Sequence, residues 1–229
     1  MIPFKNFFWQ TLTGAVLVFS FFMTVAGQAE AQTGQTTDRI ERIALMPFLL
    51  GGSDAIKEHK LEKSLDCQLR GLCTLMDDLQ SDAGQILTDI FQQELKKTYG
   101  DNVVPAAQVQ AAYNGLTEKQ NRTPRELAIE LGRQLGVDHV MVGLVWRYKQ
   151  REGSSMSVQS PASVAFSAFV VKVADGKLAW KANFDKTQSS LSENLFDAPM
   201  FLKEGMKWLT AEELASYGAG KMLKGLADQ

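Results

Sequence analysis

Cysteine and histidine are scarce in this 229-residue chain, with two copies of each, and proline occurs only six times. Two cysteines are too few for the disulfide framework of a small secreted scaffold or for a four-thiolate zinc site. A net charge of -2 gives no basic field of the kind that neutralises nucleic-acid phosphates. Beyond the amino-terminal segment no apolar run is long enough to span a bilayer. Gly51-Gly52-Ser53 follows an apolar run but lacks the lysine and spacing of a phosphate loop. Neither His59 nor His139 stands beside a serine or cysteine in a nucleophile-elbow or papain-like setting. No catalytic motif is present, and no cofactor is implied.

The amino terminus carries a targeting pattern. Lys5 gives a weakly positive start, residues 12–25 are apolar, and Ala29-Glu30-Ala31 has the small-x-small form read by signal peptidase. The pattern predicts a signal peptide over 1–31, cut after Ala31, with an uncleaved anchor as the alternative. No cysteine lies near the cut, so the lipoprotein route is closed. The expected location is periplasmic or secreted. Residues 32–39 are polar and read as a flexible lead. About 200 residues then remain, enough for one well-cored domain at 40–229. Their composition is ordinary for a globular chain, at 45% hydrophobic and 22% charged.

Within that domain, residues 43–48 (IALMPF) have the length and character of a buried strand, which Pro47 ends or leaves unpaired. Residues 49–80 have no clean period and read as an insertion. Residues 82–97 carry an apolar stripe at helical spacing, with Asp82 and Gln85 at capping-box positions. Residues 102–104 suggest a short strand, and Ala106, Val109 and Tyr113 a brief helix. Thr123-Pro124-Arg125-Glu126 opens a helix that Gly136 closes. A long strand follows at 139–148, apolar on both faces at first and then alternating, with Leu144, Trp146 and Tyr148 on one side. Glu152-Gly153 is a turn signal. Residues 164–173 form a second long strand, Asp175-Gly176 a hairpin turn, and 177–185 a strand burying one face. Thr210 and Glu213 cap a final amphipathic helix. The order predicts an α+β fold (an α/β sandwich): one mixed sheet with a carboxyl-terminal antiparallel three-strand part and helices packed on it.

Three segments, IALMPF, LGVDHVMVGLV and VVKVADGKLAW, resemble a family of bacterial envelope proteins that includes CsgG, the amino-terminal domain of TolB, and LpoB. The resemblance covers roughly residues 40–226 and implies a helix-flanked sheet serving as a protein-interaction or assembly module without catalysis. Unlike the lipidated and pore-forming members, the chain has no acylation cysteine, and its residues 149–162 are short and polar.

Candidate site residues follow. Cys67 and Cys73 lie close in sequence and, in an oxidising compartment, are expected to form a local disulfide; metal binding with His59 is the alternative. Asp77-Asp78 reads as a solvated turn. His139, opening a buried strand, reads as structural. Trp146, Tyr148 and Trp180 stand at emergent strand ends, with Phe196, Phe201 and Trp208 before the last helix. Aromatics so placed are either satellite core or a partner-binding patch. The expected function is that of a non-enzymatic periplasmic accessory or assembly protein that binds another envelope protein or self-associates. A small hydrolase or ligand-binding protein with a site in the 49–80 insertion is the competing reading.

Overall fold

A computed structural model describes residues 39–51, 79–189 and 207–228. Strand β1 (Ile43–Leu45) pairs in parallel with β3 (His139–Lys149). Pro47 interrupts the ladder as its missing N–H requires. The neighbouring Phe48 N–H finds a substitute acceptor in Thr88 Oγ1 at 2.9 Å. The chain then rejoins the sheet as β2 (Leu49–Leu50), again parallel to β3. This corrects the expected boundary of the insertion: Leu49 and Leu50 belong to the sheet. The rest of that stretch, 52–78, lies outside the described residues, and the chain returns at Leu79, bridged to Tyr148.

Helix α1 (Ala83–Tyr99) buries Leu87, Phe91 and Leu95. Its expected capping box is absent: Asp82 makes no side-chain cap, and Gln85 bonds Asp89 instead, at 2.9 Å. A 3-10 turn (Gly100–Asn102) replaces the expected short strand, leaving Val103 in a single bridge to Ile43. Helix α2 (Ala106–Gly115) follows, and then α3 (Pro124–Leu135). Helix α3 has the full reciprocal box: Thr123 accepts from Glu126 N–H while the Glu126 carboxylate accepts from Thr123 N–H at 2.7 Å. Gly136 ends it at φ 62°, a left-handed conformation that glycine adopts without strain.

Strand β3 runs antiparallel to β6 (Ser163–Lys172), and β6 to β7 (Leu178–Thr187), with Gly176 at φ 70° in the intervening turn. The expected turn at Glu152-Gly153 is instead a short strand, β4 (Glu152–Gly153), paired with β5 (Val158–Ser160) in a separate two-stranded hairpin. Helix α4 (Ala211–Ala227) opens on a second complete capping box, Thr210 with Glu213.

The main sheet has five strands in the order β1-β3-β6-β7, with β2 also on β3. Mixed pairing and a three-strand antiparallel part match the sequence expectation. Helices α1 and α4 cover one face, packing Leu87, Phe91, Leu214 and Ala215 against Val145, Phe166, Val170 and Trp180. Aromatic rings cross this layer in steps: Phe48–Phe91 4.7 Å, Phe91–Phe166 5.6 Å, Phe166–Phe184 5.3 Å and Phe184–Tyr217 6.4 Å. Gly143 makes room for the first of them, since a Cβ there would lie 2.3 Å from the Phe48 ring. Helices α2 and α3 cover the other face, packing Val109, Leu127 and Leu131 against Val140, Val142, Phe169 and Val171. That second layer reaches only the start of β7, where Leu178 is partly buried.

Candidate functional site

Trp146, Tyr148 and Trp180 do not form an exposed patch. Trp146 is 2% exposed, Tyr148 1% and Trp180 7%, so all three belong to the core. The register explains the first two. Val145 pairs with Phe166 and Arg147 with Ala165, which leaves Trp146 as the extra residue of a β-bulge. The bulge breaks the alternation that would place Trp146 and Tyr148 on one side. Trp146 packs in the α2/α3 layer and Tyr148 in the α1/α4 layer. The Trp146 indole donates to Ser167 Oγ at 2.9 Å. Burial pushes the Tyr148 phenol up to about 12, and the carboxylates of Glu212 and Asp82 add to the shift. Trp208 is half-buried, its main-chain N–H donating to the Ser155 carbonyl at 2.9 Å. Phe196, Phe201, Cys67, Cys73, His59, Asp77 and Asp78 lie outside the described residues.

His139 is buried at the start of β3, with Nδ1 against Asp138 Oδ2. Asp138 also accepts from the N–H groups of Glu41 and Arg42, clasping the segment that enters β1. Burial alone would raise this carboxyl, but the donors from Glu41, Arg42 and His139 outweigh it and hold it below its usual range. The arrangement orients a sheet entrance.

Among the described residues, three open clefts can be followed. One, of about 300 Å³, sits beyond the carboxyl end of β1 among Pro47, Gln85, Thr88, Asp89, Gln92 and the start of α2. Ligand crevices in open α/β sheets occupy such a position. Here, however, Gln85 bonds Asp89 and Gln92 bonds the Val104 carbonyl at 2.9 Å, so these amides serve the fold. A second, of about 400 Å³, separates α1 from α4 and holds Glu94, Glu212 and Glu213. Lys97 and Lys207 stand 2.5 Å from Glu94 and Glu213. A third lies over Arg122, Ile129, Glu130 and Arg133, with Arg122 and Glu130 paired at 3.4 Å. Among the described residues, no group of three or more His, Cys, Asp or Glu is gathered to hold a metal ion. No helix among them is long and apolar enough to cross a membrane.

The feature that remains is β7. Its ten residues end the sheet, and no strand among the described residues pairs with its outer side. Trp180, Ala182 and Phe184 face the α1/α4 layer. Lys181, Asn183, Asp185 and Thr187 face the other way and are exposed, because α2 and α3 stop short of them. Beneath this polar row a network stiffens the strand. Arg147 donates from Nε to Ser163 Oγ at 2.6 Å and from its guanidinium to the Asp185 carboxylate, while Ser163 and Thr187 share a hydroxyl contact at 2.5 Å. The alternation of β7 was legible in the sequence. The role of Arg147, set by the bulge, was not.

No family model matches this sequence, and no curated protein matches it. Solved structures similar to it in fold include the PelC dodecamer from Paraburkholderia phytofirmans, 13% identical, with a TM-score of 0.45 over 82% of this chain and 88% of that one. The LpoB carboxyl-terminal domain from Salmonella enterica is 14% identical, with a TM-score of 0.37 over 65% of this chain and 84% of that one. Lipoprotein GNA1162 from Neisseria meningitidis is 16% identical, with a TM-score of 0.38 over 72% and 97%. LpoB is thus among the structural neighbours found, while the CsgG and TolB parts of the sequence resemblance gain no support. Similarity at this level leaves the activity, partners and assembly of the chain to its own residues.

Proposed function

We propose that this is an exported, non-enzymatic accessory protein that works by binding a protein, either another component of the cell envelope or a second copy of itself. The observation that carries the reading is β7, a stiff ten-residue strand with an uncovered polar face and no partner strand on its outer side among the described residues. Edge strands offer unpaired main-chain groups, and strand addition is a general mode of protein recognition. The small-x-small motif at Ala29 to Ala31 supports export, with the mature chain starting at Gln32 and comprising a short lead and one domain. In that compartment Cys67 and Cys73 are bridged, and thiol labelling of the unreduced, denatured protein modifies neither; labelling of both would refute the bridge.

Affinity capture from envelope extracts, with wild type and a Lys181→Glu variant in parallel, tests the reading. A captured protein, or self-capture, that falls away with the variant supports it. Capture that is unchanged in the variant removes β7 from the account. A purified protein that captures nothing, stays monomeric and hydrolyses ester or peptide substrates would overturn the proposal in favour of an enzyme.

A further inference from the structure

The row of side chains on the uncovered face of β7 is self-complementary. Lys181, Asn183 and Asp185 are two residues apart, so they share one side-chain direction and one orientation of main-chain groups. When two copies of a strand meet side by side and antiparallel, a two-fold axis runs perpendicular to the sheet. Residues on one face of one copy then oppose residues on the same face of the other. An axis at Asn183 sets Lys181 of each copy against Asp185 of the other, giving two opposite-charge pairs by symmetry. On the covered face the same register sets Ala182 of each copy against Phe184 of the other, a small residue against a large one. An axis at Lys181 would oppose two like charges. Axes at Ala182 or Phe184 leave both charges without a partner of opposite sign. A lysine on the exposed face of an edge strand is a common guard against unwanted pairing. Here the guard has its counter-charge two positions on from Asn183, held in place by Arg147.

We propose that two copies of this chain join through their β7 edges, antiparallel and centred on Asn183, so that their sheets become one continuous sheet. The proposal rests on the reading of the chain as a non-enzymatic binding protein and commits it to a second copy as the occupant of β7. The joined sheet keeps its two characters across the axis. On the α1/α4 side Ala182 and Phe184 meet across the axis, with Lys186 of each copy opposite Trp180 of the other, and the other side carries a continuous polar row. Interfaces of this isologous kind close at two subunits.

Sedimentation of the full mature chain over a range of concentrations tests it. The wild type is expected to dimerise, and Lys181→Glu to weaken the dimer by about tenfold, because both symmetric pairs become like-charged. Adding Asp185→Lys to Lys181→Glu is expected to recover most of that loss. Because Asp185 also anchors Arg147, a second variant avoids it. Asn183→Cys is expected to oxidise to a dimer whose bridge maps by mass spectrometry to 183 in both chains, while Gln110→Cys on exposed α2 does not. A wild type that is monomeric at every concentration overturns the inference. So does a dimer unmoved by Lys181→Glu with no 183-to-183 bridge. A monomer that still captures an envelope protein overturns only the second-copy assignment; a monomer that captures nothing and hydrolyses substrate overturns the binding reading as well.

Discussion

Strands β6 and β7 are neighbours of equal length, ten residues each, joined by one tight turn, yet they live in different environments. In β6 every residue but Lys172 is buried, because helices cover both of its faces. In β7 one face lies under α1 and α4, while beyond Leu178 the other has no helix over it among the described residues. The contrast separates what the molecule uses to stay folded from what it can offer. Large apolar side chains sit in β3 and β6 and are spent on the core. Charge and amide groups sit on β7, next to a main-chain edge with no partner strand among the described residues.

Substitutions along the two strands put numbers on this contrast. Phe166→Ala empties the centre of the aromatic series between Phe91 and Phe184, and should cost about 3–5 kcal/mol in chemical denaturation. A loss under about 1 kcal/mol would mean that β6 is not the middle of the core. Ser167→Ala leaves the buried Trp146 indole N–H without its acceptor and should cost about 1–3 kcal/mol. If the variant is neutral, the bulge does not hold Trp146 where the register puts it.

The clasp at the head of β3 should show through pH. The Asp138 carboxyl is held below its usual range, so its contribution is full above the unfolded carboxylate pKa and is lost as pH falls through the lower folded value. Asp138→Asn is therefore expected to be less stable than wild type at neutral pH, with the gap closing in acid. A gap that widens on acidification would contradict the clasp. At the small end, Lys181→Ala and Asn183→Ala should each change the stability of the isolated protomer by no more than about 0.5 kcal/mol, as exposed positions do. A cost of 2 kcal/mol or so at either would move that side chain into the core and erase the distinction between the strands.

How much of this was legible depended on range. The Thr123 and Thr210 caps, the Gly136 terminus and the Asp175-Gly176 turn are decided by residues within a few positions, and all formed as read. The mixed sheet followed from run length and alternation. The failures involve partners distant in sequence or a break in periodicity. Whether the strand ends at Pro47 or only goes unpaired there was open in the sequence; it resumes because Thr88, 40 positions away, takes the Phe48 N–H. Period-two counting puts Trp146 and Tyr148 on one face because it runs straight through a bulge that only the β6 register reveals. The Asp82 and Gln85 pair had the right spacing for a box, but Gln85 bonds down its own helix instead. Of the candidate site, the polar face of β7 was readable and the Arg147 network behind it was not.

Residue-resolved amide hydrogen exchange of dilute protein tests the central claim most directly. If β7 is an open edge, amides of β6 from Val164 to Val171 exchange only through global opening. In β7 every second amide, the set pointing away from β6, exchanges orders of magnitude faster. Protection of all β7 amides as strong as in β6, and independent of concentration, would mean that the chain covers this edge itself, and the account of β7 as the binding surface would fail.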